Sequence, residues 1–582
     1  MQGRKLIYNH IKAHLPLYVA AVASMAAANI VYAFFPKVLN LFTDDLQMGN
    51  LSREGIVFYS VLLLLIGGGY GVLFGAGQYV NHRLGRKFEF NTRQELFRHF
   101  TTLSEHYFSQ NGIGKLLSYV MNDVTAVRES IANGVNQSTN ATFLLVSVVV
   151  MMSISGIPFY LILVCVLPLL AIPFFVVQFG PRIRERSRNV QDALARMTES
   201  AEEQFGGIRL TKTFAAEEMA NRRFGRTVDE ICDKQLKLVR MSSLFQALLP
   251  FAGALSLVLA ISYGGILTIK QQITLGNFVA LTLYLRMIVN PLQQIGNVIN
   301  TMQRARASVD RLDYLLGVQP DIREAEHALK LDDRDATIEI RNLSFTYPGN
   351  AKRSLENIHI RIEPGETLGI IGRTGSGKTT LVKLLLRVYD PPHGTLFING
   401  KDIRSLSLDS LRKTIAYVPQ EGFLFSTTIR DNIAFFDRDS TQEQVESAAK
   451  LAEVYENIMG FPDKFATRLG ERGVTLSGGQ RQRTSLARGI IKDAPILILD
   501  DSVSAVDAVT ETNIIANLRK KRRGKTTVII AHRISALRHA DHIVVLEEGK
   551  IAERGTHEEL LRRGGIYASL YAIQEEGMSH GI

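Results

Sequence analysis

Six apolar stretches lie in the first half of this 582-residue chain, and each approaches the ~20 residues that a helix needs to cross a bilayer. They run Leu17–Phe42, Ile56–Val80, Thr139–Ile157, Pro158–Phe179, Leu244–Ile269 and Leu275–Val298. The third and fourth form nearly one run, broken at Ser155-Gly156-Ile157-Pro158, which reads as a tight hairpin. One such stretch also suits a buried core helix. Six in succession predict an all-α membrane domain, because hydrocarbon leaves backbone groups no partners outside a helix or closed barrel.

Charge orients these spans. Lys and Arg outnumber Asp and Glu by 30 to 20 over residues 1–320 and by 37 to 36 beyond, so the net +11 lies almost wholly in the first half. A basic half can serve nucleic acid, but basic connections alternating with apolar runs point to a membrane, and no nucleic-acid partner is expected. The N-terminus carries Arg4, Lys5 and Lys12. The second-to-third connection carries Arg83, Arg86, Lys87, Arg93, Arg98, Lys115 and Arg128, and the fourth-to-fifth Arg182, Arg184, Arg186, Arg188 and Arg196. The three short connections hold only Arg53 and Lys270. The positive-inside rule places both termini and both long connections in the cytoplasm, with the chain a multi-pass protein of the cell membrane. The long connections have heptad-like apolar spacing, so the helices should continue beyond the bilayer. Residues 1–15 lack an apolar core and a small-residue cleavage site, and read as an interfacial helix rather than a cleaved signal. Cys165 and Cys232 are expected as free thiols.

From about Asp321 the pattern changes. Residues 1–320 form the expected transmembrane domain, and the charged segment Asp321–Asp335 reads as a linker. In 336–582 short β-rich runs (TIEIRNLSF, ETLGIIG, TIAYVPQ, PILILD, TTVIIAH, HIVVLEEG) alternate with helical stretches. That alternation predicts an α/β domain with a mostly parallel sheet covered on both faces.

The sharpest motif is Gly372-Arg373-Thr374-Gly375-Ser376-Gly377-Lys378-Thr379, between a strand and the helix TLVKLLLRV. Glycines let backbone N–H groups surround a phosphate, and the helix N-terminus adds a favourable dipole. Lys378 would reach the β- and γ-phosphates, and Thr379 would offer its hydroxyl to Mg²⁺. Asp500 ends the apolar strand PILILD and is the second expected metal ligand.

Leu476-Ser477-Gly478-Gly479-Gln480, followed by Arg481-Gln482-Arg483, resembles the signature of ATP-binding-cassette (ABC) ATPases. With six preceding spans, the chain resembles an exporter-type half-transporter: a six-helix membrane domain joined to a RecA-like P-loop domain that binds ATP and Mg²⁺. The resemblance assigns nucleotide contacts to Gly372, Thr374, Gly375, Ser376, Gly377, Lys378, Thr379 and Thr380. Tyr347, in SFTYPG, matches the aromatic that stacks on adenine. Gln420, in YVPQ, matches the loop glutamine at the metal, and His532, in IIAHR, matches the switch histidine at the γ-phosphate. Ser504–Asp507 resembles the loop at the dimer interface, and Gly470–Gly473 the exporter-specific segment before the signature. Two copies of the nucleotide domain are implied, because Ser477, Gly478, Gly479 and Gln480 of one chain close over the phosphate loop of another.

One position departs from the family pattern. A hydrolysing member has Glu after the strand-ending Asp, and here the residue is Asp501. The charge stays but the carboxylate loses one methylene, about 1.5 Å of reach, and a ~1 Å misplacement can cost on the order of 100-fold in rate. Beside an intact signature, this resembles the degenerate-site subunit of bacterial heterodimeric multidrug exporters. Asp501 would then be a weak catalytic base, with His532 and Gln420 beside it, and the partner half-transporter would supply the competent Glu. The alternatives are a working homodimer, such as a lipid flippase, and a mainly regulatory ATP-binding subunit. Gly112–Tyr119 and Gly207–Ala215 are expected to dock the long connections on nucleotide domains. Within the spans Arg286 is the notable charge, with Asn29 and Asn290 weaker candidates. The apolar, aromatic bundle suits membrane lipid or hydrophobic and amphiphilic cargo.

Overall fold

The computed structural model describes residues 2–331, 336–470, 473, 476–504 and 506–579. The chain divides into two compact units, Met1–Thr102 with Ser109–Gln319, and Leu103–Phe108 with Pro320–Ile582.

The first unit is helical. A short helix α1 (Gln2–Ala13) precedes α2 (Leu15–Ala33) and α3 (Phe35–Gln47), which together make the first apolar length. That length was expected as one run. It is broken at Phe34, because Pro36 has no N–H to continue the ladder and is tolerated only in the first turn of a new helix. The long α4 (Arg53–Thr102) is followed by the short α5 (Glu105–Asn111) and by α6 (Ile113–Ile154), which carries π-turns at Tyr119–Asp123 and Ser130–Gly134. After the Ser155–Pro158 turn, α7 (Phe159–Gly206) leads to α8 (Ile208–Thr213), α9 (Glu217–Ile269) and α10 (Leu275–Gly317). Among the described residues, six helical lengths are long and apolar enough to cross a membrane. The 50 residues of α4 and 53 of α9 far exceed a bilayer, so these helices run on beyond it.

A small core of Met152, Leu161, Ile172, Leu281 and Tyr284 is fully buried in this unit, while Leu64, Val72, Leu163, Val177 and Phe251 are exposed. Apolar surface turned outward on such a scale requires lipid around it. Asn29 is buried and donates to the Met25 carbonyl at 2.9 Å, whereas Arg286 and Asn290 are exposed one turn apart on α10. Cys165 is buried and Cys232 exposed, both free.

The second unit is α/β. Its six-stranded sheet has the order β10-β9-β3-β8-β7-β6: β3 (Thr367–Gly372), β6 (Ile415–Val418), β7 (Ile496–Asp500), β8 (Thr526–Ile530) and β9 (His542–Glu547) are parallel, and β10 (Lys550–Gly555) is antiparallel at the edge. Alternate residues of β7 enter different cores, Ile496 and Ile498 on one face and Leu497 and Leu499 on the other. This explains its unbroken apolar run. A smaller antiparallel sheet joins β1 (Ile338–Phe345), β2 (Leu355–Ile362), β4 (Leu396–Ile398) and β5 (Lys401–Asp402).

Two expectations need correction. The segment from Asp321 is not a free linker as far as Leu331: Leu329 bridges Leu406, and buried Leu331 donates its N–H to Ser410 Oγ at 2.8 Å. Residues 332–335 of that segment lie outside the described residues. Gly112–Tyr119 forms the opening turns of α6 in the helical unit. The stretch grouped with the α/β unit is Leu103–Phe108, where the Glu105 carboxylate meets Lys383 Nζ at 2.6 Å and His106 packs edge-on to Tyr389. Gly207–Ala215 holds the short helix α8, with Ile208, Leu210 and Phe214 exposed.

Candidate nucleotide site

Three neighbouring strands, β3, β8 and β7, end at one edge of the sheet, so the residues just past them converge in a crevice at their carboxyl ends. Gly372 closes β3, and a Cβ there would overlap the Leu546 carbonyl oxygen. Gly377 sits at φ +102 at the start of helix α11 (Lys378–Leu385), where a Cβ would also lie 2.8 Å from the Ser354 carbonyl oxygen. Only glycine satisfies both constraints at these two positions.

The crevice is a cavity of about 520 Å³ whose lining includes Tyr347, residues Thr374–Thr380, Gln420, Asp500, Asp501 and His532. Lys378 folds back over the loop, donating Nζ to the carbonyls of Gly372 at 2.7 Å and Arg373 at 3.0 Å. Burial pushes its ammonium below the ordinary lysine range, with Asp501 and Asp500 pulling the other way. The buried Ser376 hydroxyl has no hydrogen-bond partner among the described residues, and Thr379 is exposed to the crevice. An orphaned hydroxyl, a cation satisfied only by carbonyls and a glycine cradle fit the phosphates of a nucleotide.

Two carboxylates face this cradle. Burial raises the Asp500 carboxyl above the usual range, while the Tyr417 hydroxyl, donating to Oδ2 at 3.2 Å, favours its charged form. Thr379, Asp500 and Gln420 form an oxygen donor set suited to Mg²⁺. Asp501 is 6% exposed and held at φ +47. Its N–H donates to the Ile530 carbonyl at 2.8 Å, and its carbonyl accepts from Gln482 Nε2 and Ser504 Oγ, both at 2.9 Å. Its carboxylate accepts from Gln420 Nε2 at 3.2 Å and the His532 N–H at 3.4 Å. Backbone and side chain are thus both tied down. The His532 ring is exposed, and the Gln574 side chain braces its loop, donating to the His532 carbonyl at 2.7 Å and accepting from the Ile534 N–H at 2.9 Å.

Tyr347 lines the cavity, but its ring packs edge-on at 5.0 Å to Tyr389 and its hydroxyl donates to Thr380 Oγ1 at 3.1 Å. Sequence reasoning missed Tyr417, Gln482 and Gln574. Tyr417 lay inside the quoted YVPQ run and Gln482 inside the quoted Arg481-Gln482-Arg483 run, whereas the Gln574 amide leaves no signal.

Ser477–Gln480 does not join this cavity. Ser477 caps helix α12 (Gly478–Ile491) in a capping box: the Gln480 N–H donates to Ser477 Oγ at 3.3 Å, and the Ser477 N–H donates to Gln480 Oε1 at 3.0 Å. Ser477 and Gly478 are exposed, so the helix start presents free N–H groups outward. Glu471 and Arg472 of the segment before it, and Ala505 of the 504–507 loop, lie outside the described residues.

Known proteins match along both units. Residues 18–292 fit the family description "ABC transporter transmembrane region", and residues 355–504 fit "ABC transporter". The chain is 35% identical over 567 residues, 97% of its length and 96% of the relative's, to a probable multidrug resistance ABC transporter ATP-binding/permease protein, YheI, of Bacillus subtilis. It is 33% identical, over 96% of its length and 92% of the relative's, to an ATP-dependent lipid A-core flippase of Syntrophus aciditrophicus. A solved bacterial Atm1-family ABC exporter with ATP bound superposes with TM-score 0.77 at 25% identity, covering 97% of this chain and 98% of that one.

Proposed function

This chain belongs to the ABC transporter family, a multi-pass membrane protein with one transmembrane region and one nucleotide-binding domain, and on that premise we propose that it is one half of a heterodimeric ATP-driven exporter of hydrophobic or amphiphilic compounds. The observation that carries the heterodimer is Asp501, whose short carboxylate is drawn to Gln420 and the His532 N–H. The residues divide by role. Lys378 exchanges its two carbonyls for phosphate oxygens, and Ser376 and the loop N–H groups complete the cradle. Thr379, Asp500 and Gln420 would hold Mg²⁺, which would offset charge on the phosphates. Asp501 is left to aim the attacking water from a carboxylate about 1.5 Å short.

The cavity formed by the phosphate loop excludes the chain's own signature, which supports a second chain as the source of the closing helix. Ser477, Gly478 and Gly479 in turn close over the partner's phosphate loop. Both termini lie on the cytoplasmic side with the basic connections, and the exposed apolar tip at α8 docks on the partner.

The test is ATP hydrolysis by the purified chain, alone and paired with a half-transporter that carries Glu at the matching position. The pair should exceed the lone chain at least tenfold. Changing the partner's Glu to Gln should abolish that gain, and Asp501→Asn in this chain should leave it within about twofold. Loss of turnover in the pair on Asp501→Asn sinks the assignment.

A further inference from the structure

Beyond the apolar ends of α7 and α9, the two helices flank a pocket of 300 Å³ lined by Arg182, Arg186, Lys234 and Lys237, with Glu185 and Met241. Lys237 Nζ pairs with Asp233 at 2.6 Å, and Arg186 donates to the Lys237 carbonyl at 2.9 Å, which fixes its guanidinium in the seam. Glu185 and Asp233 against four cations leave two positive charges uncompensated. Neither Arg182 nor Lys234 makes a close ion pair or side-chain hydrogen bond among the described residues.

The position of the pocket is as informative as its charge. Arg182 is the first charged residue after the apolar stretch that ends at Phe179, and no charged residue follows Arg240 on α9 before Lys270. Arg182 and Arg186 are one turn apart, about 6 Å along the helix. A headgroup layer is roughly 5–8 Å deep on each side of the hydrocarbon. Arg182, about 4–5 Å along the helix past Phe179, falls within it, while Arg186, Lys237 and Lys234, about 10–15 Å from the apolar ends, line the pocket at and beyond its outer edge. Towards the hydrocarbon, the Phe179 ring meets Phe245 at 6.0 Å and closes the seam, while Val177 and Leu244 stay exposed beside it.

We propose that this pocket binds the phosphate headgroup of an anionic phospholipid, drawn from the leaflet on the side of the basic connections. A phosphodiester carries about one negative charge on oxygens that arginine forks and lysine ammonium groups engage together, and its acyl chains would lie along Val177 and Leu244. The site is separate from the nucleotide cavity and does not depend on whether the transporter is a heterodimer.

The test uses the full-length chain in detergent, with bound phosphatidylglycerol and phosphatidylcholine counted by native mass spectrometry. Phosphatidylglycerol should bind in preference to phosphatidylcholine. The pocket variant Arg182→Gln/Arg186→Gln/Lys234→Gln should weaken phosphatidylglycerol binding at least tenfold. Arg184→Gln/Arg188→Gln/Arg240→Gln removes the same charge at similar depth outside the pocket, and should change it less than twofold. Arg182→Gln alone, at an exposed rim position that the fold does not depend on, should weaken binding about threefold. Equal losses in the two triple variants would mean a diffuse basic belt and overturn the proposal. So would equal binding of the two lipids, or displacement of phosphatidylglycerol by millimolar inorganic phosphate, which would mark a site for soluble anions.

Discussion

The α/β unit presents two half-sites of unlike quality. At the phosphate loop, the glycine turn, Lys378 and Ser376 fit a phosphate, and the proposed weak point is the carboxylate after Asp500, Asp501, whose two oxygens are already hydrogen-bonded. At the start of α12, the Ser477–Gln480 capping box is complete and its face is exposed. On the proposed reading, the difference separates binding from chemistry within one domain. A phosphate cradle tolerates a lost methylene several ångströms away, whereas water positioning is sensitive to about 1 Å.

Three substitutions probe this contrast. The largest effect is expected for Gly479→Asp, which sets a carboxylate at the helix start that should face the partner's phosphates. Like-charge contact costs several kcal/mol, so turnover of the assembled pair should fall more than 100-fold, while MgATP binding to this chain's own loop, followed with a fluorescent analogue, stays unchanged. Lys378→Ala does the reverse. Loss of a buried charged partner costs about 2–5 kcal/mol, so binding at this chain's loop should weaken at least thirtyfold, and the signature end should still support the partner's site. The smallest effect is expected for Gln574→Ala. Two hydrogen bonds at about 1 kcal/mol each tie the His532 loop, and their loss should slow turnover at this chain's site by no more than about thirtyfold without altering nucleotide affinity. If Gly479→Asp weakened binding as much as Lys378→Ala does, the two half-sites would not be separable.

Much of this architecture was legible in the sequence because it rests on long or dense signals. Six apolar lengths and an eight-residue phosphate loop outweigh local noise. The strand-ending Asp500 could be placed because a fully buried parallel strand such as β7 is apolar on both faces. What escaped were short segments whose role depends on what they touch. Leu103–Phe108 packs with the α/β unit through contacts that include the Glu105–Lys383 ion pair, the His106–Tyr389 ring contact and a Ser104–Asp321 hydrogen bond, and it is too short for any periodicity. The run to Leu331 looked like a linker because it is charged, yet the Leu329–Leu406 bridge, the Leu408 N–H donating to Glu324 at 2.7 Å, buried Arg387 donating to the Arg323 carbonyl at 2.8 Å and buried Leu331 help hold it down. The break at Phe34 was available from Pro36, but the apolar run around it masked the proline. Gln574 acts through a neutral amide that looks like any other on a helix.

The central claim is that Asp501 is too short to aim water. Its most direct test is steady-state ATP hydrolysis by the purified chain alone, compared with Asp501→Glu at saturating MgATP. A gain of tenfold or more, with nucleotide affinity changed less than twofold, is the predicted result. Brisk hydrolysis by the unmodified chain, with no gain from the longer carboxylate, would contradict it.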